Sequence, residues 1–316
     1  MKSLTQFIKE SLLTEGGHVF AGGSDPIKKE YIKGTIDKFV SEFTKIFPKV
    51  KNHFENPQTL GSVGKKDVSG DIDLAIDDEC LTNLDDWGLD KDKFDSLVQK
   101  FTKRARSATP KQIARKAAIT LIAEIINNKS NIIKVDDKGA GNGMLFCQFP
   151  QYDGNKELDL TVQIDINFGN VDWLTFAYYS DFYEGNIKGL HRTQLMLHLF
   201  SNKNYSFNHN FGVKNKDTGE IEATNREDAI KILNKLYNFN ITDKILQNYH
   251  KLHEYIKEHL SEKDLHDVYD IYLKTLDSTR CDIPDDLQTY WLENQDRLGL
   301  KGKFLPDDSR LFPYKK

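Results

Sequence analysis

The pattern of hydrophobic and polar positions predicts helical and extended segments along most of the 316-residue chain. Apolar residues recur every three or four positions in residues 1–15 and 26–47, which is typical of amphipathic helices. Glycines at 16–17 and 22–23 separate these two helices. A third helical stretch, residues 94–127, is expected to break near Pro110, because the residue before a proline disfavours helix.

Alternation of apolar and polar residues predicts strands in the middle of the chain. Residues 60–76 have the pattern of strand, turn and strand, and residues 145–149 and 157–168 predict a hairpin that turns at Gly154. Thr224 and Glu227 have capping-box spacing before a helix, and the chain up to about residue 276 is mostly helical. We therefore predict an α+β fold, with a mixed sheet flanked by helices and a mainly helical C-terminal region.

Composition excludes several classes of protein. The apolar content of 38% excludes general disorder, and 44 basic against 48 acidic residues exclude a polycation. The cysteines Cys80, Cys147 and Cys281 are odd in number and widely spaced, so a disulfide scaffold or thiolate zinc site is not supported and a reducing compartment is expected. The longest apolar run, residues 117–123, is far shorter than the roughly 20 residues of a membrane span. No membrane partner is expected.

Two carboxylates stand out in the predicted strand after Gly70. Asp71 and Asp73 alternate with Ile72 and Leu74, so both acids lie on one side of the strand. Neighbouring like charges repel each other, and a divalent cation relieves that repulsion. Carboxylate oxygens favour Mg²⁺ or Mn²⁺ over softer metals.

A turn before these acids has the composition of a phosphate-binding loop. Gly61, Ser62, Gly64 and Lys65 offer backbone N–H groups, a hydroxyl and an ammonium group to a phosphate chain. Asp165 lies on the polar side of the later strand 157–168. Three acids on adjacent strands can hold two metal ions for nucleotidyl transfer, one at the attacking hydroxyl and one at the triphosphate.

These residues resemble the signature of the DNA polymerase β-like nucleotidyltransferase superfamily. The sequence Ser-Gly-Asp-Ile-Asp at 69–73 resembles the corresponding motif of the family X polymerases. The signature is Gly-Ser, a spacer and Asp-x-Asp, although the spacer here is one residue shorter than in family X. The resemblance implies a palm-like sheet. It also implies that Ser62 and Lys65 contact the triphosphate, with Lys65 in place of the usual arginine. Asp71 and Asp73 would bind both ions, and Asp165 would complete the catalytic ion site.

The resemblance continues to residue 233, with a large insertion. Tyr178, Tyr179 and Ser180 are similar to the aromatic turn under the incoming nucleotide, with Tyr179 where the family has glycine. Arg192 follows in the next helix and is expected near the nucleotide. Aromatic residues of this kind are more often part of the core than of a stacking surface.

A basic segment without acids offers a track for a nucleic-acid backbone, although a solvated helix face explains such charges equally well. It contains Lys100, Lys103, Arg104, Arg106, Lys111, Arg115 and Lys116.

The sequence thus predicts an enzyme that uses Mg²⁺ or Mn²⁺ to move a nucleoside monophosphate from a nucleoside triphosphate to a hydroxyl, with a nucleic-acid 3′ end as the preferred acceptor. Transfer to a protein or small molecule, and a non-catalytic nucleotide-binding or structural phage protein, are the alternatives. We divide the chain into an N-terminal helix and glycine-rich joint at 1–23, a nucleotidyltransferase core at 24–215 with an insertion at about 80–156, and a helical region at 216–316.

The first residues carry a second resemblance. The sequence MKSLTQFIKE is similar to capsid-targeting peptides of tailed bacteriophages, and Leu13, Thr14 and Glu15 before Gly16 are similar to their processing site. The resemblance implies a phage protein in the cytoplasm of an infected cell or packaged in a virion. The alternative is a structural helix that packs against the rest of the protein. The sequence makes no prediction of the oligomeric state.

Overall fold

The computed structural model describes residues 19–105, 108–180, 189–279, 281 and 283–300. The N-terminal helix expected at 1–15 lies outside the described residues. The α-helices are α1 (Lys29–Ile46), α2 (Lys51–Phe54), α3 (Lys91–Arg104), α4 (Pro110–Lys129), α5 (Val171–Ala177), α6 (Gly189–Asn202), α7 (Arg226–Tyr237), α8 (Asp243–Leu246), α9 (Tyr249–His259), α10 (Glu262–Thr279) and α11 (Gln288–Leu298). The strands are β1 (Ile27–Lys28), β2 (Gln58–Thr59), β3 (Val68–Ser69), β4 (Ile72–Asp77), β5 (Lys134–Asp136), β6 (Met144–Asp153), β7 (Lys156–Gly169), β8 (Tyr205–Asn208), β9 (Gly212–Asn215) and β10 (Ile221–Ala223).

A five-stranded mixed sheet with the order β2-β4-β7-β6-β5 forms the centre of the fold. Strands β4 and β7 are parallel, and the other neighbours are antiparallel. The predicted hairpin is confirmed as β6 and β7, which turn at Gly154 with a positive φ of 58°. Strands β5 and β6 lie within the segment that the sequence marks as an insertion, yet they belong to this sheet. The predicted α+β fold with a mixed sheet is confirmed.

The two faces of this sheet differ because apolar and polar side chains alternate along β4 and β7. The apolar face and the helices α1 and α4 share one hydrophobic core, which contains Phe39, Phe43, Ile72, Leu74, Ile119, Ile122, Ile164 and Ile166 among its fully buried members. The opposite face carries the acidic residues of both strands. Burial of one face therefore fixes which side of the sheet presents the carboxylates.

Helix starts follow local capping chemistry. The predicted break near Pro110 is confirmed: α3 ends at Arg104, and Thr109 begins α4 with a capping box to Gln112. The capping box predicted at Thr224 is wrong. The helix α7 is capped instead by Asn225, whose side chain accepts the Asp228 N–H at 2.9 Å, because asparagine is at least as good an N-cap as threonine.

A second hydrophobic core lies in the C-terminal half of the described residues. Trp173, Phe176 and Phe207 pack there with residues of α6, α7, α9 and α10. Strands β8, β9 and β10 form a separate antiparallel sheet, from which Phe207, Val213 and Ala223 enter this core. Among the described helices, none has the length and apolar character needed to span a lipid bilayer.

Candidate active site

Asp73 and Asp165 are paired positions on the parallel strands β4 and β7. Adjacent strands lie about 4.8 Å apart, and paired residues point to the same face, so the two carboxylates are neighbours. Asp71 comes just before β4 and acts electrostatically on Asp165, as Asp73 does. The three acids singled out in the sequence are therefore brought together on one face.

The Asp165 carboxyl is buried, with 2% of its surface exposed. Burial raises the pKa of Asp165 well above its usual range, and the negative charges of Asp73 and Asp71 raise it further. A hydrogen bond from Gln163 opposes this effect only in part. The Asp165 carboxyl group therefore favours its protonated form unless a cation compensates the negative charge of the carboxylate.

Two amides on the same face hold these acids. Gln163 Nε2 donates to Asp165 Oδ1 at 2.9 Å and Oδ2 at 3.1 Å, and Asn167 Nδ2 contacts Asp73 Oδ1 at 3.4 Å. Sequence reasoning assigned no role to either amide. Their spacing of two residues on each side of Asp165 was the available signal, because such positions in a strand share a face.

The turn before β4 sits directly beside Asp73. The Leu60 N–H donates to the Asp73 carbonyl oxygen at 3.0 Å, and the Lys65 N–H donates to the Ser62 carbonyl oxygen at 3.0 Å. Gly61 and Gly64 have φ values of +61° and +71°, a conformation that side chains disfavour. A β-carbon built on Gly61 would lie 3.9 Å from Asp73 Oδ2, an ordinary van der Waals distance, so the turn adjoins the acid and its positive φ is what favours glycine.

The same turn contacts the aromatic segment expected under the nucleotide. Lys65 Nζ donates to the Ser180 carbonyl oxygen at 2.6 Å and lies 4.8 Å from the centre of the Tyr179 ring. The β-carbon position of Gly61 is also 4.0 Å from the Tyr178 carbonyl oxygen. The glycine-containing turn at residues 61–65 and the aromatic turn, which are far apart in the chain, thus meet beside the acids.

Tyr178 is partly buried at this junction. Its hydroxyl lies 3.3 Å from Asn210 Oδ1, and its ring centre lies 5.0 Å from that of His209. Burial raises the pKa of Tyr178, and the charges of Asp73 and Asp165 raise it further. The phenol therefore stays protonated and can serve as a hydrogen-bond donor beside the acids.

Arg192 lies beneath the aromatic turn and is buried. Its Nε donates to the Leu246 carbonyl oxygen at 2.6 Å, and Nη1 donates to the carbonyl oxygens of Phe176 at 2.7 Å and Ala177 at 3.3 Å. Burial lowers the pKa of Arg192 to about 10, so the guanidinium remains charged at neutral pH. These contacts fasten the turn to α8, whereas a contact of Arg192 with a nucleotide stays a prediction.

The basic segment is divided between surface and interior. Lys100, Lys103 and Arg104 are exposed on the last turns of α3, and Arg106 lies outside the described residues. Lys111 is exposed beside Asp78 at 3.1 Å, and Lys116 Nζ lies 4.4 Å from the centre of the Phe101 ring.

Arg115 is buried, unlike the other described members of this segment. It pairs with the buried Asp78 at 3.1 Å and donates to the Phe168 carbonyl oxygen at 2.6 Å. It therefore holds α4 against the ends of β4 and β7, away from the surface where a phosphate backbone would pass.

The donor chemistry of the site fits a hard divalent cation. Asp73 and Asp165 face each other, Asp71 is close, and the raised pKa of Asp165 shows that positive charge would be stabilising there. Within the described parts of the chain, no three His, Cys, Asp or Glu side chains stand as a ready-made metal-binding group. The Asp165 oxygens accept bonds from Gln163, which an entering cation would have to replace.

Comparisons with known proteins return structural similarities only. A DNA polymerase β from Leishmania infantum in a ternary P/T complex is 11% identical, with a TM-score of 0.35, and the match covers 69% of this chain and 79% of that one. The same polymerase in a ternary gap complex is 13% identical, with a TM-score of 0.29 and coverages of 78% and 72%. No protein-family model and no curated protein matches the sequence.

Proposed function

We propose that this protein is a metal-dependent nucleotidyltransferase of the polymerase β-like type, which moves a nucleoside monophosphate from a nucleoside triphosphate to a hydroxyl acceptor. One observation carries the proposal: Asp73 and Asp165 are paired across parallel strands, directly beside a glycine-containing turn that ends in Lys65. Acids that converge next to a phosphate-binding turn are what phosphoryl chemistry needs, because catalysis there consists of positioning and charge stabilisation.

The side chains divide the work of binding and proton transfer. The Lys65 ammonium and the backbone N–H groups of Gly61, Ser62 and Gly64 bind the triphosphate, whose γ- and β-phosphates leave as pyrophosphate. The acceptor oxygen forms a bond to the α-phosphorus while the bond from that phosphorus to the bridging oxygen breaks. Asp165 either accepts the proton of the acceptor hydroxyl or helps to bind the ion that would lower the pKa of that hydroxyl.

Asp71, Asp73 and Asp165 are the residues that would hold Mg²⁺ or Mn²⁺. When bound, the ions would lower the pKa of the attacking hydroxyl and neutralise charge on the phosphates. Binding would also compensate the repulsion among the three carboxylates, since their charges raise the pKa of Asp165 in the free protein.

The proposed acceptor is a nucleic-acid 3′ end. Lys100, Lys103 and Arg104 expose three positive charges at the end of α3, on a chain with a net charge of −4. Local positive charge on a slightly acidic protein attracts a polyanion to one surface. Transfer to a protein or small molecule would not require this surface.

Labelled nucleoside triphosphates, Mg²⁺ and a panel of RNA and DNA 3′ ends test the reaction. Incorporation should disappear in the double variant Asp71→Ala with Asp73→Ala. Equal incorporation by that variant would refute the proposal, and tight nucleotide binding without pyrophosphate release would favour a non-catalytic nucleotide-binding protein.

Charge reversal tests the acceptor. Lys103→Glu with Arg104→Glu should weaken oligonucleotide binding and make its dependence on salt shallower, because each lost phosphate contact lowers the slope. Lys129→Glu, at the exposed end of α4, is the matched control. Transfer that is insensitive to the α3 charges and occurs without an oligonucleotide would identify a protein or small-molecule acceptor.

A further inference from the structure

Residues 19–26, which we call the strap, lie on the acid-bearing face of the central sheet. Gln148 Nε2 donates to the Gly23 carbonyl oxygen at 2.7 Å and contacts Ser24 Oγ at 3.1 Å. Gln148 and Gln163 are paired positions on β6 and β7, and the Val19 N–H donates to Gln163 Oε1 at 3.3 Å. The strap thus runs past Gln148 and reaches the neighbour of Asp165.

The other end of the strap is fastened to the same two strands. The Asp25 N–H donates to the Thr161 carbonyl oxygen at 2.7 Å, and Asp25 Oδ2 accepts the Thr161 N–H at 3.0 Å. Gln151 Nε2 lies 3.3 Å from the Asp25 carbonyl oxygen and 3.2 Å from that of Pro26. Gln148 is 7% exposed, Gln151 1% and Gln163 0%, so three buried amides hold the strap by hydrogen bonds.

Gln163 connects the strap to the catalytic acid. Its oxygen accepts the Val19 N–H, while its nitrogen donates to both oxygens of Asp165. A flipped amide would place its NH₂ against the Val19 N–H and its oxygen against a carboxylate, and both contacts would be repulsive. The seated strap therefore fixes the orientation in which Gln163 holds Asp165.

The strap also lies on the side from which an acceptor can reach Asp165. The phosphate-binding turn approaches the acids from β2, at the Asp73 side of the pair. The strap contacts β6 and the first half of β7, at the Asp165 side. A hydroxyl group in line with the leaving pyrophosphate must enter at the side opposite the triphosphate, and the contacts of Val19 with Gln163 and of Gly23 with Gln148 lie on that side.

We propose that the strap is an intramolecular inhibitor of the acid site and that Gln163 is the positioning residue through which it acts. While the strap is seated, Gln163 occupies both Asp165 oxygens and the acceptor side is covered. Release of the strap frees Gln163 to turn away and opens Asp165 to a divalent cation and to the acceptor. This inference rests on the proposed function, since it concerns the regulation of the same site.

Metal affinity and amide exchange in full-length variants test it without an activity assay. Gln148→Ala and, separately, Asp25→Ala remove strap contacts without touching the acids, and Gln288→Ala in α11 is the matched glutamine control. Both strap variants should speed hydrogen exchange at Val19 and bind Mn²⁺ about fivefold more tightly by calorimetry, the lower end of usual coupling between sites. Gln288→Ala should change neither quantity.

A double-mutant cycle tests the role of Gln163. In a Gln163→Leu background, Gln148→Ala should no longer change Mn²⁺ affinity, because the connection to Asp165 is already lost. An effect of Gln148→Ala that persists there would overturn Gln163 as the positioning residue. Faster hydrogen exchange at Val19 with unchanged Mn²⁺ affinity would overturn the proposal that the strap inhibits the site. Unchanged exchange in both strap variants would overturn the claim that the glutamines hold the strap in place.

The proposed function itself fails in a different way. If the native chain and all variants bind no Mn²⁺, or if Asp73→Asn binds it as the native chain does, the acids are not a metal site and both proposals fall. If the native chain and the two strap variants bind Mn²⁺ equally, and Asp73→Asn loses that binding, only the proposal that the strap inhibits the site is overturned.

Discussion

Asp73 and Asp165 occupy paired positions on two parallel strands that are far apart in the sequence, and the second carboxyl is buried while the first lies closer to the surface. Their pairing gives the most direct prediction. Asp73→Asn and Asp165→Asn should each lower kcat by at least about 1000-fold, the equivalent of roughly 4 kcal/mol of transition-state stabilisation. Single-turnover transfer of a labelled nucleotide measures the loss.

The control for both variants is Asp77→Asn on β4, the strand that carries Asp73. Asp77 shares the face of Asp73 but lies at the far end of β4, where its side chain accepts the Glu79 N–H at 2.9 Å. Asparagine keeps that acceptor oxygen. Activity lost equally in all three variants would indicate a structural effect and not a catalytic pair.

Asp165→Asn should also change stability in a pH-dependent way. Because burial and the charges of Asp73 and Asp71 raise the pKa of Asp165 in the folded protein, its protonated form favours folding. Native and variant chains should melt alike below about pH 4, where an unfolded Asp is protonated as well. Above that pH the native chain should lose stability relative to the variant, and its Tm should be the lower one at pH 7.

Differential scanning calorimetry from pH 4 to 8 measures this difference. A Tm difference that does not vary with pH would contradict the assignment, because a change in packing alone has no proton linkage. Saturating Mn²⁺ should remove part of the difference, since a bound cation compensates the carboxylate.

Lys65→Ala should raise the KM for the nucleoside triphosphate by about tenfold or more, corresponding to a charged hydrogen bond of roughly 1.5 kcal/mol. The ammonium group already contacts the Ser180 carbonyl oxygen at 2.6 Å beside the acids, so it is positioned for the phosphates. Lys49→Ala, at an exposed lysine near Asp85, is the control and should leave KM unchanged. A fall in kcat without a change in KM would assign Lys65 to the chemical step instead.

Gly61→Ala should destabilise the fold by about 1–2 kcal/mol, because φ at this position is +61°. Gly154→Ala at the β6–β7 turn has a similar φ of +58° and should cost a similar amount in chemical denaturation. Only Gly61→Ala should also reduce transfer, since its new methyl group points towards Asp73 Oδ2 and the one at Gly154 meets nothing within 4 Å. Equal transfer by both variants would show that the turn does not need to approach Asp73.

Arg115→Met should cost about 3 kcal/mol of unfolding free energy, because it leaves Asp78 buried beside an apolar side chain. Lys111→Met removes the exposed partner of the same carboxylate and should cost less than about 1 kcal/mol. Urea denaturation compares the two. Oligonucleotide binding that falls only in a still-folded Arg115→Met chain would contradict a purely structural role.

The alternation of side chains was sufficient to predict the face shared by Asp73 and Asp165, because a strand has a period of two. It could not predict that these two residues are opposite each other, since the register is set by pairing between distant strands. The contacts of the strap were even less predictable from the sequence. Nothing in the composition of residues 19–26 indicates that Gln148 and Gln163 bind their backbone, because such contacts depend on the folded sheet.

The clustering of basic residues in the sequence gave the wrong expectation for Arg115, which is buried and not part of a basic surface. The basic segment was defined by residue type, but Arg115 is one of the buried residues that α4 contributes between Ile113 and Ile126, whereas Lys116 is only partly buried and Glu124 is exposed. The apolar neighbours were visible in the sequence, whereas the partner Asp78, beyond the end of β4, was not.

A small cluster of Leu60, Ala75 and Leu174 lies beside the two hydrophobic cores, and Tyr178 packs against both this cluster and the second core. Asp73 and Asp165 are anchored by the first core, and the aromatic turn is anchored by the second. A nucleotide that touches both would tie together two halves that each have their own interior. Calorimetric unfolding should then change from two overlapping transitions in the free chain to a single sharper one when the ligand is bound.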